Sequence, residues 1–430
     1  IGNDRLQDGD LDNTPVVDIG AVEFTNTTPH FTVNTTADTF DVSLGNSLAE
    51  DSDGNISLRS AIQEANSTAG MARISLPAGT YTLTRSGNPE DNAIFGDLDI
   101  RDTLIIEGAG AGVTFIDAAM IDRVFHVMQN VTLTIIGVTI RNGSATTGGG
   151  LLNTAGNVML QDVVLTGNTA TGVSNPVGGA IANDRGILVL DRVTLSGNAS
   201  GADGGALYSV NGSVTINETV ISRNSAVRNG GGIAAQGGGI SITDSTISGN
   251  SVTGNETSIE IGDGGGIALS SMARVEITGS TLSGNSAADD GGGLFLSFVS
   301  ATTIESSIID SNTAVGFGGG FHNVSSGLSL TESSISNNTA TISGGGINNE
   351  QGTVSVTGST IHTNSAGVDG GGIDNFGGVV NLIDSTLSGN AATGNGGGVV
   401  NYSSGSIEFV SSTVANNSAV GFGGGVWNEG

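Results

Sequence analysis

Residues 343–366 read SGGGINNEQGTVSVTGSTIHTNSA, and residues 369–392 read DGGGIDNFGGVVNLIDSTLSGNAA. Superposed on their glycines, the two stretches share apolar, serine and asparagine positions throughout. The same pattern extends in both directions, over residues 142–430. Glycine clusters fall at 148–150, 178–179, 204–205, 230–232, 264–266, 291–293, 318–320, 344–346, 370–372, 396–398 and 423–425. An asparagine keeps step with them: Asn142, Asn168, Asn198, Asn224, Asn250, Asn285, Asn312, Asn338, Asn364, Asn390 and Asn417. Successive asparagines lie 26, 30, 26, 26, 35, 27, 26, 26, 26 and 27 residues apart. A fixed period of this size, made of short β-type runs and glycines, is the signature of a solenoid.

Within one unit, Val354, Val356, Ser359 and Ile361 are expected to face inward, and Thr353, Ser355, Thr360 and His362 outward. That is period-two alternation with one three-residue step, where the chain turns a corner. No unit has room for a helix of ten or more residues, which excludes leucine-rich and helical repeats. Each coil therefore lies over the last in parallel register, at about 4.8 Å per coil, and eleven coils make a rod of ~50 Å. The expected fold is an all-β, right-handed parallel β-helix, right-handed because parallel crossovers nearly always are. A buried asparagine stacked on its copies can exchange amide hydrogen bonds along the axis, so the eleven asparagines are read as a structural ladder. Glycine supplies corners where φ is positive or backbone meets backbone. The two long steps place TGVSNPV (171–177) and SVTGNETSIEIGD (251–263) between asparagine and glycines, so loops are tolerated at that corner.

Composition narrows the function. The chain carries 41 acidic residues against 12 basic ones, a net charge of −29, and every basic residue is arginine. Beyond Arg274 there is none. Nucleic-acid binding through phosphate neutralisation is excluded on this ground, and so is an anionic membrane surface. Strong negative charge suits an exported protein and attracts Ca²⁺. With no cysteine there is neither disulfide framework nor thiol chemistry, and no apolar run approaches a membrane span.

Four segments are expected: 1–24, outside the repeat; 25–72, an N-terminal cap; 73–141, irregular first coils; and 142–430, the regular repeat. In the cap, SLRSAIQEANS (57–67) places Leu58, Ile62 and Ala65 on one face behind a Ser57 N-cap, a short amphipathic helix. Laid across the open end of the solenoid, it covers apolar core and a free strand edge. The stretches FTVNTTADTFD, SLRSAIQEAN, LPAGTYTL, GDLDI, IIEGAGAG and DRVFHV, within residues 31–143, resemble the domain named for its Cys-Ser-Leu-Arg-Glu-Ala motif. The later coils resemble repeats of the polymorphic-outer-membrane-protein type. This resemblance implies an exported prokaryotic surface protein, many of whose relatives have no assigned activity. Leu48 and Ile56 stand where the family has two cysteines, implying a hydrophobic contact in place of a disulfide, and Ser60 stands where it has glutamate. In such proteins a stretch like Val17-Asp18-Ile19-Gly20-Ala21-Val22-Glu23 closes the far end of a β-helix, yet here it comes first, while the repeat runs on to Trp427. These residues are read as a joint between successive rods, in tandem domains or between copies of the chain, or else as a fragment boundary.

Three acidic groups are candidates for Ca²⁺: Asp8, Asp10 and Asp12 in DGDLDN; Asp51, Asp53 and Asn55 in EDSDGN; and Asp263 with Asp290, which precede glycine clusters in consecutive coils beside Asp289. Solvated acidic turns are the plain alternative for each. No coil, read singly, gathers acids, an aromatic platform and a base, and His126, His322 and His362 look isolated. Phe317 and Phe422, at one repeat position, read as packing, and Thr360, Thr386 and Thr413 form an outward hydroxyl column broken at Ile308 and Ser334. The expectation is therefore an extracellular, non-enzymatic module of a stiff fibre or stalk. A carbohydrate-binding adhesin with glycan partners comes second, and a polysaccharide-degrading enzyme third.

Overall fold

Each coil of the repeat is built the same way, and the coil containing Ile347 serves for all. Ile347–Glu350, Thr353–Thr357, Thr360–His362 and Ser365–Ala366 are its four strands, with corners at 351–352, 358–359 and 363–364. Ile347, Asn349, Val354, Val356, Ser359, Ile361, Asn364 and Ala366 are buried, while Thr353 is exposed and Ser355, Thr360 and His362 are partly so. The alternation read from the sequence is the one observed. The computed structural model describes residues 28–87, 91–254, 262–402 and 404–429.

Stacked coil on coil, these strands form four parallel sheets of 14, 13, 13 and 11 strands. Register is residue for residue: Ile347 pairs with Ile373, Val354 with Val380, Ile361 with Leu387 and Ala366 with Ala392. The architecture is the expected parallel β-helix. Its core is one continuous apolar column, and each fully buried Ile, Leu or Val contributes about 1.5–3 kcal/mol.

The asparagine ladder is present from Asn168 to Asn417. Asn312 Nδ2 donates to Asn338 Oδ1 at 2.9 Å, and Asn338 Nδ2 donates to Asn364 Oδ1 at 3.0 Å, as do their neighbours in turn. Asn142 is not a rung. It sits at the preceding corner with φ +55° and donates to Asp117, while Gly143 holds the rung position and its N–H bonds Asn168 Oδ1. Two further columns escaped the sequence reading. Asn323, Asn349, Asn375, Asn401 and Asn428 bond one another at the next corner, and Ser245, Ser280, Ser307, Ser333, Ser359 and Ser385 accept backbone N–H groups along a third.

The glycine stripe is steric in origin. Gly344 has φ +70°, and a Cβ on Gly345 would lie 2.5 Å from the carbonyl oxygen of Gly371 in the next coil. Coils cannot stack there with any side chain between them.

At the N-terminal end the helix spans Leu58–Ser67, capped as expected by Ser57, with Ser60 completing a capping box. Leu58, Ala61, Ile62 and Ala65 join the core beside the strands Ala72–Leu76 and Leu98–Ile100. Arg59, fully buried, pairs with Asp38 at 2.6 Å and donates to the carbonyls of Ala93, Gly96 and Asp97. Leu48 is 54% exposed, so the expected Leu48–Ile56 contact is not a buried one. Among the described residues no helix is long and apolar enough to cross a membrane.

Candidate functional site

The outward face of the sheet containing Ile347–Glu350 differs from coil to coil. In that strand Ile347 and Asn349 point inward, which leaves Asn348 and Glu350 outside. Register then aligns Phe295, His322, Asn348, Asp374, Val400 and Trp427 in one column. A second column runs beside it at the residue before each glycine cluster: Asp263, Asp290, Phe317, Ser343, Asp369, Asn395 and Phe422. Their carbonyls accept the first glycine N–H of the coil below, which holds the column straight. The groove between the two columns is not continuous: it opens into two separate cavities, one on each side of the packed rings of Phe295, His322 and Phe317. From Phe295 to Trp427 the face crosses five coil steps, about 24 Å.

Toward its C-terminal end the groove deepens to a cavity of about 360 Å³, lined by Phe317, Asn348, Asp369, Asp374, Phe376 and Tyr402, among others. Asp374 is 4% exposed; its Oδ2 accepts from Asn348 Nδ2 at 3.2 Å, and its Oδ1 makes no hydrogen bond of good geometry, with the Ser343 hydroxyl as its nearby donor. Burial, and next the charge of Asp369, push the Asp374 carboxyl up to about 7. Asp369 is also buried and accepts two hydrogen bonds, from the Asn395 N–H at 2.5 Å and from the Tyr402 hydroxyl. Burial, then that hydrogen bond, hold the Tyr402 phenol protonated far above its ordinary range. Tyr402 is flanked by Phe376, centroids 6.0 Å apart, and by Trp427 at 5.6 Å, edge to face. Trp427, assigned from the sequence to a joint, thus extends an aromatic row along the groove.

At the other end of this stretch, one oxygen from each of Asp263, Asp289 and Asp290 lies within 4.8 Å of the others. Burial, then the Asp290 charge, push Asp263 up to about 7, and Asp289 is raised for the same two reasons. His322, 4% exposed, places Nδ1 2.9 Å from Asp290 Oδ2, with Phe295 and Phe317 packed on its ring at 5.5 and 6.0 Å. The contact lacks hydrogen-bond geometry, so both ring nitrogens are without a hydrogen-bonding partner. The same face continues downward into a smaller cavity, about 160 Å³, that includes Asp203 and Tyr208.

Placed on the structure, the sequence candidates divide. Asp263 and Asp290 do converge, with Asp289. Asp51, Asp53 and Asn55 do not, because Asp51 Oδ1 accepts the N–H groups of Asp53 and Asn55 and serves as a turn cap. Asp8, Asp10, Asp12 and the stretch Val17–Glu23 lie outside the described residues. A second cluster, Asp91, Asp99 and His126, was missed at the N-terminal end. His322 was read as isolated but sits against Asp290, Phe295 and Phe317; Phe317 does pack, on that imidazole, and also lines the larger cavity. The reason is common to all: each coil supplies one or two groups, and only stacking brings them together.

No protein-family model matches the chain, and no curated protein does. Solved structures similar to it include the A-module of mannuronan C-5 epimerase AlgE4 from Azotobacter vinelandii, 13% identical with a TM-score of 0.43, over 91% of this chain and 98% of that one. They include the catalytic unit of a GH87 α-1,3-glucanase from Streptomyces thermodiastaticus, 14% identical, TM-score 0.35, over 89% and 68%. The Dettilon tailspike protein is another, at 12% identity and TM-score 0.35, over 82% and 64%. At these identities the likeness concerns the β-helix alone. The expectation that the chain is not an enzyme is nevertheless corrected. Its ground was that no single coil gathers acids, an aromatic platform and a base, and stacking assembles acids, rings and an imidazole across coils.

Proposed function

We propose that this protein acts outside the cell on a polysaccharide, holding a glycan along the larger cavity of the groove and cleaving a glycosidic bond beside Asp374. One observation carries the reading. A buried carboxyl, incompletely hydrogen-bonded, lines a cavity beside a second carboxyl group and among aromatic rings. Burying such a group without a full set of partners costs stability, and a purely mechanical rod has no use for it. Glycoside cleavage needs one protonated and one ionised carboxyl across the scissile bond. Asp374, raised to about 7, still carries its proton in about half of the molecules at neutral pH and is suited to protonate the leaving oxygen. Asp369, hydrogen-bonded by Tyr402 and Asn395, is suited to act on the sugar or on a water. Phe376, Tyr402 and Trp427 offer faces on which pyranose rings stack.

The charge pattern supports an uncharged glycan. The groove presents Asp263, Asp289, Asp290, Glu350, Asp369 and Asp374, and no arginine follows Arg274 in the chain. A polyuronate would meet repulsion with no basic group to offset it. The test is release of reducing ends from a panel of neutral glucans and xylans, with polyuronates alongside. Product from a neutral polymer, lost in Asp374→Asn while binding is kept, is expected. Glycan binding without product in the wild type would make the protein an adhesin, and neither binding nor product would dismiss the groove as a glycan site.

A further inference from the structure

We propose that Asp263, Asp289, Asp290 and His322 form a binding site for a divalent transition cation of the Zn²⁺ or Mn²⁺ class. The three carboxylates come from two consecutive coils and the imidazole from the next, so the stacking builds the set. Their oxygens already lie within 4.8 Å of one another. Oxygens bound to one ion at ~2.1 Å sit ~3–4 Å apart, so small side-chain rotations bring the three carboxylates together, while the imidazole, 2.9 Å from Asp290 Oδ2 but outside the 4.8 Å group, has farther to move. None of the three forms an ion pair with an arginine among the described residues. Asp290 uses Oδ1 to accept the Phe317 N–H at 2.6 Å, which aims Oδ2 at the imidazole.

His322 is the independent observation. Its side chain is almost completely buried; Nδ1 lies 2.9 Å from Asp290 Oδ2 and Nε2 3.9 Å from Glu350 Oε2, yet neither ring nitrogen makes a hydrogen bond. Buried imidazoles are ordinarily satisfied, and a metal ion is the partner that this one, facing carboxylates, is placed to accept. The donor set also selects among ions. Oxygen ligands alone suit Ca²⁺ or Mg²⁺, whereas a nitrogen ligand among carboxylates favours Zn²⁺ or Mn²⁺. This donor set would favour a softer ion than the Ca²⁺ expected from the sequence. The site stands apart from Asp374 along the groove and does not depend on the cleavage reading.

The experiment is titration calorimetry of the full chain, after chelator treatment, with Zn²⁺, Mn²⁺ and Ca²⁺, together with absorbance of the Co²⁺ complex. One equivalent of Zn²⁺ or Mn²⁺ is expected to bind at least about tenfold more tightly than Ca²⁺. Binding should weaken by about tenfold or more in His322→Gln and in Asp290→Asn. The second of these keeps an oxygen for the Phe317 N–H, and circular dichroism checks that both variants fold. His126→Ala should leave the stoichiometry unchanged. The proposal is overturned if neither transition ion binds at millimolar concentration, if His322→Gln leaves affinity and the Co²⁺ spectrum unaltered, or if only His126→Ala abolishes binding.

Discussion

The inside and the outside of the same coils obey opposite rules. Inward, the ladder position is asparagine in ten successive coils, from Asn168 to Asn417, because each rung is satisfied only by an identical neighbour. Outward, the column at Asn348 reads Phe295, His322, Asn348, Asp374, Val400, Trp427, with no residue repeated. Backbone pairing is equally regular on both sides, so the difference lies in the side chains alone. In a solenoid, repetition marks what holds the fold together, and departure from repetition on one outer face marks where something is bound.

Breaking that contrast should have unequal effects on the two sides. The largest is expected outside, on activity. Asp374→Asn should lower turnover of a cleaved glycan by ~10²–10⁴-fold, since the general acid is lost, while leaving the circular dichroism spectrum unchanged. The next largest is inside, on stability. Asn338 accepts from Asn312 N and Nδ2 and donates to Ile309 O and Asn364 Oδ1. Asn338→Ala strands these buried groups, and a loss of about 3 kcal/mol or more is expected in denaturant unfolding, with groove residues untouched.

The pH dependence sharpens the same comparison. Asp374 titrates near 7 in the folded protein against an ordinary 3.8, so the native state holds the proton more tightly than the unfolded chain does. Its contribution to stability is therefore full below pH ~4 and is lost as pH rises through ~7. Asp374→Asn should raise the melting temperature at pH 8, by the equivalent of a few kcal/mol at most, and leave it nearly unchanged at pH 4. The groups facing Asp374 are Asp369, Ser343, Asn348 and, farther off, His322. Turnover in the wild type should fall on the alkaline side with the same midpoint. The smallest effect belongs to the rim: Trp427→Ala removes one stacking face and should raise KM about five- to tenfold for long oligosaccharides, with little change for the shortest.

How far the sequence could be read follows from what each residue answers to. Val354, Val356 and Ile361 were legible because strand alternation is local, and Ser57 with Leu58, Ile62 and Ala65 because helix capping is local too. Asn142 was misplaced by one position. Its spacing fits the ladder, but the rung belongs to Gly143 and the asparagine takes the corner with positive φ. The Asp263–Asp290 approach was visible since both precede a glycine cluster one period apart. His322 was not, because it sits on a strand of the next coil, off the period of the two acids, and its nearness to Asp290 depends on how the corner brings strand and loop together.

From the order of amino acids alone came the coil, its period, its parallel stacking and the inward ladder, since those depend on contacts that recur every 26 residues or so. The groove was decided only in three dimensions. Its acids, rings and imidazole are separated by whole coils and follow no period, so they become neighbours only after the coils are stacked. The environment that pushes Asp374 up to about 7 likewise exists only once water has been excluded from the folded groove.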